Sequence, residues 1–174
     1  MKKVLVIGSG GAGKSTLARR LSKRLNLELI HLDQLYWRPG WVETPEPEWQ
    51  QTIAELIKRD AWVMDGNYSG TFAARFAACD TVIFLDLPRR VCLWRIVKRR
   101  ALYHRRNRPD VAAGCPEQLS LEFILWVWHY GRRSRPKVLA LFDEHAHAKR
   151  MIRLRSMREV EAFLTAAERG EITT

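Results

Sequence analysis

Cysteine is scarce in this chain: Cys79, Cys92 and Cys115 are odd in number, widely spaced and free of any C-x-x-C pair. That excludes a disulfide framework and a cysteine-built zinc site, and leaves reduced thiols in the cytoplasm as the simple expectation. Long hydrophobic runs are missing as well. Met1-Lys2-Lys3 is followed by only four apolar residues before the glycines begin, too few for a signal peptide, and nothing approaches the roughly 20 apolar residues of a membrane helix. No membrane partner is expected. There is no internal repeat or low-complexity tract, so the 174 residues read as one globular domain, 1–174.

Acid is the third shortage. Nineteen Asp and Glu face thirty Lys and Arg, giving a formal charge of +11 and a pI near 10.1. Partners should therefore be anionic: nucleotides, nucleic acid or both. No acid occurs from residue 89 to 109, where Arg95, Lys98, Arg99, Arg100, Arg105, Arg106 and Arg108 cluster; Arg132, Arg133, Arg135 and Lys137 form a second group. A solvated helix face interleaves acids with bases, so this one-sided run points to phosphate.

What the chain does have is Gly8-Ser9-Gly10-Gly11-Ala12-Gly13-Lys14-Ser15-Thr16, which fills the template G-x-x-x-x-G-K-[ST]. Before it, Val4-Leu5-Val6-Ile7 is a buried-strand run; after it, Leu17, Leu21 and Leu25 recur at helical spacing. Strand, glycine loop and helix in that order make a nucleoside triphosphate site. Glycines let successive N–H groups turn toward the phosphates, and the positive helix end favours the charge. Gly8, Gly10, Gly11, Ala12, Gly13, Lys14, Ser15 and Thr16 are thus candidate ATP-binding residues. Lys14 would reach the β/γ oxygens and Ser15 would ligate Mg²⁺.

Further along, Leu27 to Asp33 reads as a second strand ending on a carboxylate, where open α/β sheets place ligands. Tyr36-Trp37-Arg38-Pro39-Gly40-Trp41 is an aromatic loop that could floor a pocket or pack beneath the chain. Thr44-Pro45-Glu46-Pro47-Glu48 starts a helix running to about residue 59. Residues 61–66 form a third strand ending at Asp65, Phe72–Ala78 a short helix and 81–86 a fourth strand. A helix after Pro88 carries the main basic run. Asn107 to Gly114 is a polar, basic interruption and a candidate lid. Pro116-Glu117 opens the next helix, and Met151–Arg155 is the last strand, followed by the capping box Ser156-x-x-Glu159. The sum is an α/β fold: a five-stranded parallel sheet with helices on both faces and a helical lid at about 100–116.

With these residues in place, the chain resembles P-loop kinases of the nucleoside-monophosphate kinase type over nearly its whole length. The glycine loop resembles the adenylate kinase form, Val63-Met64-Asp65-Gly66 its strand ending in Asp-Gly, and Arg95-Ile96-Val97-Lys98-Arg99-Arg100 its R-I-V-x-R-R helix. The resemblance implies that Arg95 lies against adenine and that Arg99 contacts transferring phosphates. The full pattern, including His31-Leu32-Asp33 and Asp65-Gly66-Asn67-Tyr68, is similar to FlaR-type DNA topology modulation proteins. Two phosphate ligands of adenylate kinases are absent here, where Tyr36 and Asn67-Tyr68 stand instead. AMP as acceptor is therefore not implied, unless Arg38 or Arg132 substitutes. Asp33 also resembles the strand-end Asp with which shikimate and gluconate kinases address a substrate hydroxyl, although the glycine triplet of shikimate kinases is absent.

The expected activity is transfer of the ATP γ-phosphate to a small-molecule or nucleotide acceptor, by positioning and charge neutralisation. Lys14, Asp33, Arg99 and Arg132 are the expected catalytic residues, Arg155 joins Arg95 and Arg99 on the nucleotide side, and Ser15 with Asp65 takes the metal side. The competing reading is a nucleic-acid-binding regulator that keeps the nucleotide site. The charge fits it, but no helix-turn-helix, zinc finger or RNP motif is visible.

Overall fold

The fold, taken from a computed structural model that describes residues 1–104 and 106–172, is built around β1 (Lys3–Gly8). Arg105 of the basic run lies outside the described residues. In chain order the other elements are α1 (Lys14–Leu25), β2 (Leu29–His31), α2 (Leu32–Tyr36), β3 (Trp37–Arg38), β4 (Val42–Glu43), α3 (Glu46–Leu56), β5 (Trp62–Asp65) and α4 (Phe72–Ala78). β6 (Thr81–Leu85), α5 (Arg89–Leu102), α6 (Leu121–Arg133), α7 (Arg135–His145), β7 (Arg150–Leu154) and α8 (Met157–Arg169) complete the chain.

Five strands form one sheet in the order β2-β5-β1-β6-β7, with every neighbouring pair parallel. Strands covered on both faces can be apolar at every position, which is why Val4 to Ile7 and Thr81 to Leu85 show no alternation with polar residues. Alternate side chains serve two separate cores. Val4, Val6, Ile83 and Leu85 meet α1, α5 and α8 on one face. Leu5, Ile7, Val82 and Phe84 meet α3, α4 and α7 on the other. The capping box is as expected: Ser156 accepts from the Glu159 N–H, and the Glu159 carboxylate accepts from the Arg155 N–H and the Ser156 hydroxyl. Among the described residues no helix is long and apolar enough to cross a membrane.

Three local expectations fail. The second strand stops at His31 because its partner β5 stops at Asp65, the residue it pairs with; Leu32 then starts α2, which places Asp33 in a helix's first turn instead of on a strand. The next helix after the basic run starts at Leu121, capped by Ser120, and not at Pro116. The expected helical lid is also absent: apart from the end of α5, the described residues from 103 to 120 form turns and one antiparallel bridge, Asn107 to Pro116. This segment is docked on the β3–β4 hairpin. Gly40 N–H donates to Gly114 O (2.8 Å), the Trp41 indole N–H to Pro116 O (3.0 Å) and the Cys115 thiol to Arg38 O (3.2 Å).

Candidate phosphate-transfer cleft

The glycine loop leaves β1 and enters α1 through Gly13, whose φ of 97° is a left-handed conformation that a side chain would strain. Gly11 is required by space: a Cβ there would stand 2.3 Å from the Cys92 carbonyl oxygen of α5. Glycine thus lets α5 lie against the loop, which lines a cleft of 1040 Å³. Gly10, Gly11, Ala12, Gly13, Lys14, Ser15 and Thr16 all line it. Gly8 sits beneath, where Asn67 braces it from both sides, accepting from Gly8 N–H (3.2 Å) and donating to Gly8 O (2.7 Å).

Lys14 lies in the cleft with its ammonium on Ser9 O (3.1 Å). Burial holds its pKa below the ordinary value, against the pull of Asp33 and Asp65. The Ser15 hydroxyl donates to Asp65 Oδ2 (2.7 Å), while Asp65 Oδ1 is 2.5 Å from His31 Nδ1. Burial would lower the His31 pKa, but the Asp65 hydrogen bond and charge outweigh it and raise the value. From the loop beyond α5, the Asp110 carboxylate also reaches Ser15.

Asp33 faces the same space from α2, and the Tyr68 hydroxyl donates to its Oδ1 at 2.6 Å. Burial raises its pKa, with Tyr68 and Lys14 opposing. The aromatic loop does both things its sequence allowed. Tyr36, Trp37 and Trp41 line the cleft and also pack on one another, Tyr36 edge-on against Trp37 and Trp49 and tilted against Tyr68, and Trp37 edge-on against Trp41.

On the opposite wall, Arg95 Nη1 donates to Ala12 O (3.2 Å) at the loop itself. Arg99 is one turn on and pairs with Glu117 (2.8 Å), which also takes Arg108 (2.6 Å). Glu117 is almost fully buried. The basic run therefore finds its acids immediately outside the acid-free window.

Two expected residues do not arrive. Arg132 is exposed on α6 and is not part of the cleft wall; Arg155 lines a separate cavity beyond the loop. Arg38 is paired with Glu48 on the surface, so neither proposed substitute for the missing acceptor-phosphate ligands is in place.

The sequence reading missed what holds the turn after Asp65. Arg75 of α4 is wholly buried without a carboxylate partner; it donates to Gly66 O (3.0 Å), Asn67 O, Tyr68 O (2.8 Å) and Thr71 Oγ1 (3.0 Å). Burial pulls its pKa down to about 9. That guanidinium sets the carbonyls of the turn from which Asn67 braces the glycine loop and Tyr68 reaches Asp33. A signal was available, since Arg75 is the only charged residue in Phe-Ala-Ala-Arg-Phe-Ala-Ala.

The donors fit the ligands that the loop implies. The Ser15 hydroxyl beside a carboxylate is the hard-oxygen set that Mg²⁺ takes, and a glycine loop entering the N-terminus of α1 suits phosphate. Among the described residues no cluster of three or more His, Cys, Asp or Glu could hold a metal alone, as befits an ion that shares its oxygens with substrate phosphates.

No protein-family model matches the chain. It is 28% identical over 131 residues to the uncharacterised protein YqaC of Bacillus subtilis, covering 74% of this chain and 72% of that one. It is 30% identical over 128 residues to the shikimate kinase of Corynebacterium glutamicum, covering 66% and 72%. The solved shikimate kinase of Acinetobacter baumannii, in complex with shikimate, superposes with a TM-score of 0.59 at 19% identity, over 99% of this chain and 96% of that one. The last match shows a common fold, and the corynebacterial one, spanning more than two thirds of that enzyme, shows descent: this chain belongs to the P-loop kinase family of shikimate kinase.

Proposed function

We propose that the protein is an ATP- and Mg²⁺-dependent kinase whose acceptor is a hydroxyl of a small molecule. The observation that carries the acceptor class is Asp33, a half-buried carboxylate facing the same cleft as Lys14 and oriented by the Tyr68 hydroxyl. Mg²⁺ would be held by Ser15, with Asp65 setting the serine's orientation and the metal's waters, and would supply charge neutralisation on the phosphates. Lys14 and Arg99 would bind and align the transferring group, and Arg95 would flank the base. Asp33 would accept the hydroxyl's proton at a carboxylate oxygen, within an aromatic wall that excludes water. A nucleoside monophosphate acceptor is not supported, because Tyr36 and Asn67 are committed to packing and to bracing the loop. The nucleic-acid reading loses its main argument too, since Arg99 and Arg108 are engaged by Glu117.

The test is an ATP-turnover screen against hydroxylated metabolites, nucleosides and nucleoside monophosphates. A hydroxylated metabolite should stimulate turnover, and Asp33→Asn should remove that stimulation while leaving ATP binding nearly intact. Stimulation only by nucleoside monophosphates would overturn the acceptor class.

The pH profile should report Asp33. Its working form is the carboxylate and burial raises its pKa, so kcat/KM should fall on acidification through a value above the ordinary carboxylate range. Tyr68 favours the charged form, so Tyr68→Phe should move this acid limb further up. A limb that stays in place in Tyr68→Phe would assign it to another group.

On the metal side, Asp65→Asn should raise the Mg²⁺ concentration for half-maximal activity by about 10- to 100-fold, the usual cost of losing a group that orients a metal ligand. Mg²⁺ titrations at fixed ATP would measure it. An unchanged Mg²⁺ requirement would remove Asp65 from the metal side.

A further inference from the structure

Behind the glycine loop, above the ends of β6 and β7, lies a second cavity of 490 Å³ that the phosphate-transfer reading does not use. Its wall carries Arg89, Arg135, Arg153 and Arg155 and one acid, Asp86. Asp86 takes Arg135 (2.8 and 3.1 Å) and Arg153 (2.9 and 2.5 Å) together. One carboxylate between two guanidiniums leaves a positive charge over, and the other two arginines bring the local excess to three.

Two further observations point to a ligand. Tyr130 lines this cavity, and its buried hydroxyl has no hydrogen-bond partner among the described residues; the residue as a whole is only 6% exposed. A buried hydroxyl left unpaired is unfavourable, and an oxygen-rich guest would satisfy it. Arg89 is fixed by its face, 4.0 Å above the Trp128 ring, a stacking that keeps its in-plane N–H donors available. Leu87, Pro88 and Val127 make the rest of the wall apolar.

We propose that this cavity binds a small organic phosphate monoester, as an effector site separate from the ATP cleft. A dianion with several acceptor oxygens answers the excess of three positive charges and the unpaired tyrosine, and the volume leaves room for an organic body beside the phosphate. The site is joined to the phosphate loop at two points. Ser9 lines the cavity while its carbonyl holds the Lys14 ammonium, and Tyr130 lines both the cavity and the ATP cleft. A guest here would therefore bear on the residue that anchors Lys14.

Phenyl phosphate is a suitable probe, with binding followed by calorimetry and saturation-transfer NMR in the full chain. Lys14→Met removes a ligand of the ATP cleft, and phenyl phosphate should still bind this variant at one site. Adding Arg89→Gln and Arg153→Gln should weaken that binding at least tenfold; Tyr130→Phe, which keeps the ring, should weaken it several-fold. Arg89 is exposed, so Arg89→Gln alone is a version that keeps the fold intact and should still lower affinity. Binding that vanishes in Lys14→Met alone, or that ignores all three cavity residues, would overturn the proposal. Benzoate binding as tightly as phenyl phosphate would overturn the phosphate assignment. All outcomes are read as binding, so they stand apart from any failure to find a phosphoryl acceptor.

Discussion

Lys14→Met should cut ATP turnover by hundreds-fold or more with little change in thermal stability. The ammonium sits in the cleft formed by the glycine loop, and among the described residues it hydrogen-bonds to Ser9 O alone. Its loss removes a charge-assisted donor from the transferring phosphates, and a transition-state donor in a dry site is worth about 2–4 kcal/mol. Methionine keeps the stem that packs in the cleft, so the fold should lose at most the single bond to Ser9, about 1 kcal/mol. Steady-state kinetics at saturating Mg-ATP, paired with a melting curve, separates the two effects. Unchanged turnover would remove the phosphate-loop assignment.

The largest effect on stability should come from Arg75→Met. The substitution is close in length, yet it strips donors from the buried Gly66 carbonyl and Thr71 hydroxyl and from the partly buried Asn67 and Tyr68 carbonyls. Leaving a buried acceptor unsatisfied costs about 1–3 kcal/mol each. The two buried acceptors therefore put on the order of 2–6 kcal/mol at risk, and the two partly buried carbonyls add less, against a total stability of about 5–15 kcal/mol for a typical domain. Removing the buried cation's own desolvation returns part of that. A net loss of about 4 kcal/mol would lower the melting temperature by roughly 8–16 °C. Since the turn carries Asn67 and Tyr68, whatever folded protein remains should also turn over poorly. A variant that melts with the wild type would show that the turn holds itself.

The parts of the molecule visible in the sequence are those set by neighbours in the chain. β1, the glycine loop and α1 follow from a β-branched run, a spacing of glycines and a leucine repeat, and α4 spans Phe72–Ala78, the short helix read from the sequence. What escaped was set by distant partners. His31 ends its strand because Asp65 ends the next one, 34 residues away. Glu117 does not open a helix because Arg99 and Arg108 draw it inward, and a window closing at residue 109 counted the bases without their acids. Arg132 was expected at the phosphates and Arg155 on the nucleotide side, whereas the sides of α6 and of the β7–α8 turn they occupy are decided by packing. The loop residues 10–16, Asp33, Arg95 and Arg99, which line the cleft, and Asp65, which holds Ser15, could be picked out in the sequence; the bracing by Arg75 and Asn67 and the approach of Asp110 could not.

If Arg99 binds phosphate as proposed, its ion pair with Glu117 makes the protein its own competitor for that ligand. A nucleotide that engages Arg99 must first displace a carboxylate already at 2.8 Å, so part of its binding energy goes to exchanging one anion for another. Such an exchange favours a ligand bearing more negative charge than a single carboxylate, which a γ-phosphate does and a nucleoside does not. Affinity should therefore climb steeply with the number of phosphates on the nucleotide, and Glu117→Gln should flatten that climb by letting poorly charged nucleotides in.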